Sequence, residues 1–127
     1  MGVANYVSGR PVMMPWTNPG ADAAAGDIVV FNSSAFVAHV ANPAFAGASK
    51  VDALSLSGGV YQVTAGGALT IGNRAFYDPT TKKFYNATAA GRINFGIVVG
   101  GPSGNLSGAA PGADGQDAYV LHAPAGV

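Results

Sequence analysis

Short apolar runs, each closed by a polar or glycine-rich turn, follow one another along most of this chain. Ile28 to Phe31 is continuously apolar, Asn32-Ser33-Ser34 turns, and Ala35 to Val40 returns. Runs of this length, rich in β-branched and aromatic residues and bounded by turn formers, predict strands rather than helices. Val51 to Ser57 alternates, with Val51, Ala53 and Ser55 on one face and Leu54 and Leu56 on the other. Val60 to Val63 is another strand after Gly58-Gly59. Arg74 to Tyr77, the turn Asp78-Pro79-Thr80-Thr81 and Lys82 to Asn86 predict a hairpin, because Asp-Pro-Thr suits a type I turn. Phe95 to Val99 and Asp117 to His122 complete the set. No window sustains an i, i+3, i+4 apolar pattern with helix caps, so alanine-rich stretches are not read as helices.

The pattern also doubles. Gly26-Asp27-Ile28-Val29-Val30-Phe31 returns as Gly72-Asn73-Arg74-Ala75-Phe76-Tyr77, and each copy leads to a strand opening on Asp-Ala, at Asp52-Ala53 and Asp117-Ala118. The pseudo-repeats run over about 26–63 and 72–122. Strands spaced by about ten residues and joined by Gly/Pro turns predict an all-β fold, a small β-barrel or a β-sandwich of β-clip or tulip-like form. Residues 26–127 are expected to form this single β domain, with a flexible loop over 100–115, where Gly, Ser, Ala and Pro dominate. Residues 1–25 read as an extended N-terminal arm: Pro11 and Pro15 bar a helix and a central strand position. Asn18-Pro19-Gly20 makes a turn, and residues 22–25 at most one helical turn.

Composition narrows the chemistry. The 127 residues suit one domain, and 19 Gly with 8 Pro fit many tight turns. Six basic and six acidic side chains, every acid an Asp, make only 9% charged residues and no net charge. No basic stripe is available for nucleic acid. A surface so poor in charge is easier to explain if partners cover much of it. The absence of cysteine removes disulfides, thiolate nucleophiles and Cys-based zinc sites. No apolar run is long enough to span a membrane, and no secretory leader is expected.

Reactive constellations are lacking. His39 and His122 have no ligand partner at i+2 or i+4, so neither is read as a metal ligand; both are expected at the surface or satisfied by hydrogen bonds. No serine stands in Gly-x-Ser-x-Gly, which leaves a hydrolase reading without a nucleophile. The glycine pairs at 58–59, 66–67 and 100–101 match no phosphate-loop pattern. Lys82-Lys83 reads as a solvated turn, or as one half of a salt bridge to another subunit. No catalytic residue, cofactor or metal is therefore assigned. The candidate site is instead apolar: Tyr6, Val12, Met13, Met14, Pro15 and Trp16, side chains that either fold back on their own domain or anchor in a neighbour. The competing binding reading is a carbohydrate-binding or adhesive β-module, with Trp16, Tyr61 or Tyr85 lining a groove.

The order of short motifs resembles a known family. It runs Asn5-Tyr6-Val7, Ala-Gly-Asp-Ile-Val-Val (25–30), Phe-Val-Ala-His-Val-Ala (36–41) and Asp-Ala-Leu-Ser-Leu-Ser-Gly-Gly-Val-Tyr-Gln-Val (52–63). Ile-Gly-Asn-Arg-Ala-Phe-Tyr-Asp (71–78), Phe-Gly-Ile-Val-Val (95–99) and Asp-Ala-Tyr-Val-Leu (117–121) follow. This is similar to the capsid cement, or head decoration, proteins of tailed bacteriophages, the family labelled domain of unknown function 2190. Asn73 departs from the more typical Asp, and the 100–115 loop is longer than usual. The resemblance implies a structural virion protein on the capsid exterior, assembled in the host cytoplasm. Its implied partners are the major capsid protein and itself, as a homotrimer at threefold positions or a dimer at twofold ones.

Overall fold

The computed structural model describes residues 3–17, 26–31, 34–38 and 51–124. Among them are ten strands and no helix: β1 Asn5–Ser8, β2 Val12–Thr17, β3 Ile28–Phe31, β4 Ser34–Ala38, β5 Val51–Ser57, β6 Val60–Thr64, β7 Arg74–Asp78, β8 Lys83–Tyr85, β9 Ile93–Gly100 and β10 Asp117–His122. They form two antiparallel sheets, a large one ordered β1-β6-β10-β9-β7-β8 and a small one ordered β2-β5-β4-β3. The large sheet curls until Ala65, just past β6, meets Phe84 of β8 through one parallel bridge. It does not close into a barrel, so of the two expected architectures the sandwich-like one is adopted. The turn at 18–20, the helical turn at 22–25 and His39 lie outside the described residues.

The doubled motif has a doubled hydrogen-bond pattern. The Gly26 N–H donates to the Ala38 carbonyl at 2.6 Å, and the Ala38 N–H to the Asp27 carbonyl at 2.9 Å. In the second copy Gly72 donates to Val98 at 2.7 Å, and Val98 to Asn73 at 2.9 Å. Counting along the sequence matches β4 with β8, but these bonds match β4 with β9. The order β2-β5-β4-β3 is thereby paralleled by β6-β10-β9-β7, and the β8 hairpin strand is an addition at the outer edge.

The core lies on the inner face of the large sheet. Period-two alternation sends Tyr61, Val63, Ala75, Tyr77, Ala118 and Val120 inward together with Phe84 of β8. A register shift of β9 against β7 at Phe95 brings Phe95 in as well as Val98, and Ala35 and Val37 of β4 close over them. Phe84 and Phe95 meet edge to face at 5.0 Å, and Tyr61 meets Phe95 at 6.3 Å. Such pairs add about 0.5–1.5 kcal/mol each beyond the area they bury.

Residues 5–8 and 12–17 are strands, and both are paired with the chain's own strands. β1 runs antiparallel to β6 (Tyr6 opposite Tyr61) and β2 antiparallel to β5 (Val12 opposite Ser57, Thr17 opposite Val51). The segment and its partner bend together from one sheet to the other. Gly9, Gly58 and Gly59 make that corner, all with φ between 81° and 89°. A β-carbon on Gly9 would lie 3.0 Å from the Gly59 Cα. Both the left-handed backbone and the contact demand glycine. Pro15, which lacks an N–H, is accommodated because β2 is an edge strand.

A second close approach sits in the middle of the large sheet. At Gly96 of β9 a β-carbon would lie 1.7 Å from the Leu121 carbonyl oxygen of β10. Gly96→Ala is expected to destabilise the protein by more than about 2 kcal/mol in urea unfolding. Gly67→Ala, whose β-carbon would meet nothing within 4 Å, should stay within about 0.5 kcal/mol of the wild type.

Candidate interaction surface

Exposed large apolar side chains concentrate on the β1–β2 segment. Tyr6 is 50% exposed, Val7 47%, Val12 59% and Met14 54%. On β2 the strand alternation turns Val12 and Met14 outward and leaves Met13 half-buried. Tyr6 is held in place: its hydroxyl donates to the Gly9 carbonyl and its ring sits edge-on to Tyr61 at 5.9 Å. β1 and β2 each end a sheet, and beyond them no further strand pairs among the described residues. Edges of this kind present unpaired backbone N–H and C=O groups beside apolar side chains.

Of the six residues singled out in the sequence, the structure therefore places Tyr6, Val12 and Met14 outside and Met13 between. Pro15 and Trp16 lie on β2, opposite Ala53 and Asp52, and their side chains are outside the described ones. Val7 joins the surface although the sequence reading passed over it. Its neighbour Tyr6 was the available signal, since on an edge strand both faces can reach solvent.

The polar side chains elsewhere do structural work. His122 is 1% exposed, not turned outward. Ala118, Val120 and His122 are successive inward positions of β10, a period that was legible in the sequence. Its Nε2 lies 2.7 Å from the Ala35 carbonyl and its Nδ1 3.4 Å from the Ser55 Oγ. A carbonyl only accepts, so Nε2 donates, and a neutral ring leaves Nδ1 to accept the Ser55 hydroxyl proton. His122 thus joins β10 of the large sheet to β4 and β5 of the small one. The ring also packs against Phe95 at 4.5 Å and Tyr61 at 5.8 Å. Among the described residues no group of three His, Cys, Asp or Glu could hold a metal ion.

The carbohydrate reading loses one of its aromatics. Tyr61 is fully buried, and burial raises its hydroxyl pKa. Tyr85 lies between Gly66 and Arg92, whose guanidinium sits 3.7 Å from the ring centroid. The β7–β8 hairpin below it is closed by Asp78. That carboxylate accepts the Thr80 and Thr81 N–H groups and lies 3.5 Å from the Arg92 Nε. The Thr80 bond foremost, then Thr81 and Arg92, hold the Asp78 pKa below its ordinary value. Lys83, the second residue of the basic pair, bonds to Asp114 of its own chain at 2.7 Å. Among the described residues, exposed large apolar side chains gather most on the β1–β2 edge.

A family model for the phage cement protein matches residues 7–106, more than three quarters of the chain. The chain belongs to the phage cement protein family. That membership assigns it a structural, capsid-associated role in the virion of a bacteriophage. The match takes in β2 to β9 and stops within the loop after β9, so the central strand β10 of this cement protein comes from outside the matched stretch. No curated protein and no solved structure matches the chain significantly.

Two outcomes follow for this cement protein. Replacing His122 with Ala should cost about 2–4 kcal/mol, by cavity formation and loss of the inter-sheet bonds, whereas Ser55→Ala should cost about 1 kcal/mol; denaturant unfolding measures both. Asp78 has a depressed folded pKa, so its stabilising effect is present above its ordinary pKa of 3.8 and lost as pH falls through the folded value. Thermal melts of wild type and Asp78→Asn should differ at neutral pH and converge in acid.

Proposed function

We propose that this protein binds the outer surface of a phage capsid and cements neighbouring major capsid proteins through its β1–β2 segment. The observation that carries the reading is the concentration of Tyr6, Val7, Val12 and Met14 on one pair of edge strands. Burying them against a capsid subunit removes apolar area from water at roughly 25 cal/mol per Å². The edge backbone can add hydrogen bonds if a capsid strand lies beside it. A copy that touches two capsid subunits couples their dissociation, and the icosahedral lattice multiplies that effect. With 9% charged residues the protein repels its own copies weakly, which suits a homotrimer at threefold positions, or a dimer at twofold ones. Addition would take place on heads assembling in the host cytoplasm.

The test is to titrate purified capsids lacking the protein with wild type and with the double variant Val12→Asp/Met14→Asp. Both substituted side chains are exposed, so the free variant should unfold within about 0.5 kcal/mol of wild type. Its occupancy on capsids should fall at least about tenfold, and the heat resistance of the decorated particles should drop toward that of bare ones. Wild-type occupancy by the variant would overturn the assignment of this surface.

A further inference from the structure

Four strands end the two sheets, β1 and β8 in the large one and β2 and β3 in the small one. Three of them are blunted against further pairing. β1 is bulged between Tyr6 and Ser8, β2 carries Pro15 and a register shift after Val12, and β8 is only three residues long and bears Lys83. β3 has none of these features. Ile28–Phe31 is apolar, uncharged and free of proline, and its four pairs with β4 run without a shift. Val30 is 38% exposed, on the face of β3 that it shares with Ile28, which packs against the core.

The doubled architecture shows what kind of neighbour suits this edge. β3 corresponds to β7, and the outer side of β7 is taken by β8, an antiparallel strand. Among the described residues no strand pairs with the outer side of β3. The hydrogen-bond phase is fixed as well. Ala38 donates to the Asp27 carbonyl, and bonded pairs in an antiparallel ladder recur at every second residue, so Val29 and Phe31 bond to β4. The N–H and C=O groups of Ile28 and Val30 therefore point outward.

A second β3, laid antiparallel about a twofold axis, meets all of these groups in one register. Val29 faces its own copy on the axis, and Ile28 and Val30 of each chain exchange bonds with Val30 and Ile28 of the other. Exposed Val30 is then covered by Ile28 of the second copy. The two Asp27 carboxylates stand about 13 Å apart along the ribbon, beyond the screening length of about 8 Å, so like charge does not oppose the pairing.

Resting on the capsid-binding reading above only for its seat on the shell, we propose that two copies join through β3 as a twofold dimer, merging their four-stranded sheets into one. The dimer carries two β1–β2 edges, so one assembly reaches two capsid subunits, and the twofold dimer is preferred to the threefold trimer.

The chain has no cysteine, which gives the register a clean test. Wild type, Val29→Cys, Val30→Cys and Val29→Lys are compared as free proteins, with thermal midpoints as the folding control. Two cysteines at 29 face each other on the axis, within disulfide reach, whereas two at 30 lie diagonally about 8 Å apart, beyond it. Under mild oxidation Val29→Cys should cross-link at least about tenfold more than Val30→Cys. Wild-type sedimentation should rise from monomer to dimer with concentration and stop there. Val29→Lys sets like charges face to face and should weaken the dimer at least about tenfold; if it unfolds, the cysteine pair decides. Cross-linking at 30 equal to that at 29, none at either, or a wild-type trimer overturns the β3 dimer. If wild type still occupies capsids, the capsid-binding reading stands without it. A cross-linked dimer that does not occupy capsids overturns that reading and leaves the β3 dimer.

Discussion

The sandwich depends on one residue of β10 that bonds in three directions. The His122 backbone carbonyl accepts the Gly58 N–H at 2.8 Å, and its own N–H donates to Gly59 at 3.0 Å, so it grips the corner where the chain passes between sheets. Its side chain reaches across the interior to Ala35 and Ser55 of the small sheet. An interior polar group left without partners costs about 1–3 kcal/mol, so these bonds favour one mutual placement of the sheets over other apolar packings. The corner in turn sets the course of β1 and β2, and hence which apolar side chains face outward. The apolar β1–β2 edge is downstream of a buried histidine.

Adhesion and solubility pull against each other in such a protein. Two sheet edges bear apolar side chains, and few charges stand by to keep copies apart. Pro15 on β2 withholds a backbone donor, and the bend at Gly9 breaks β1 and β2 into short strands, both of which limit edge-to-edge pairing.

Fastening recurs at the chain's later turns. Asp78 closes its hairpin, Lys83 and Asp114 join that hairpin to the loop after β9, and Arg74 and Asn94 bond to the Ala123 and Pro124 carbonyls just past β10. These bonds sit at turns and strand ends, where a thin core offers little packing.

Local sequence determined the strands. Runs such as Ile28–Phe31, Val51–Ser57 and Asp117–His122 declare themselves, because β-branched and aromatic alternation and glycine punctuation act over a few residues. The same range of action made the apolar cluster at 12–16 and the Asp-Pro-Thr hairpin legible. Which strands pair was decided by tertiary structure. β4 corresponds to β9 rather than β8, His122 bridges two sheets, and the N-terminal segment serves both of them as an edge. Each of these rests on hydrogen bonds between residues tens of positions apart, and a local pattern is equally compatible with several such partners. Composition shows no partner for the loop after β9; its bonds to Ala65, Leu69 and Lys83 join residues distant in sequence.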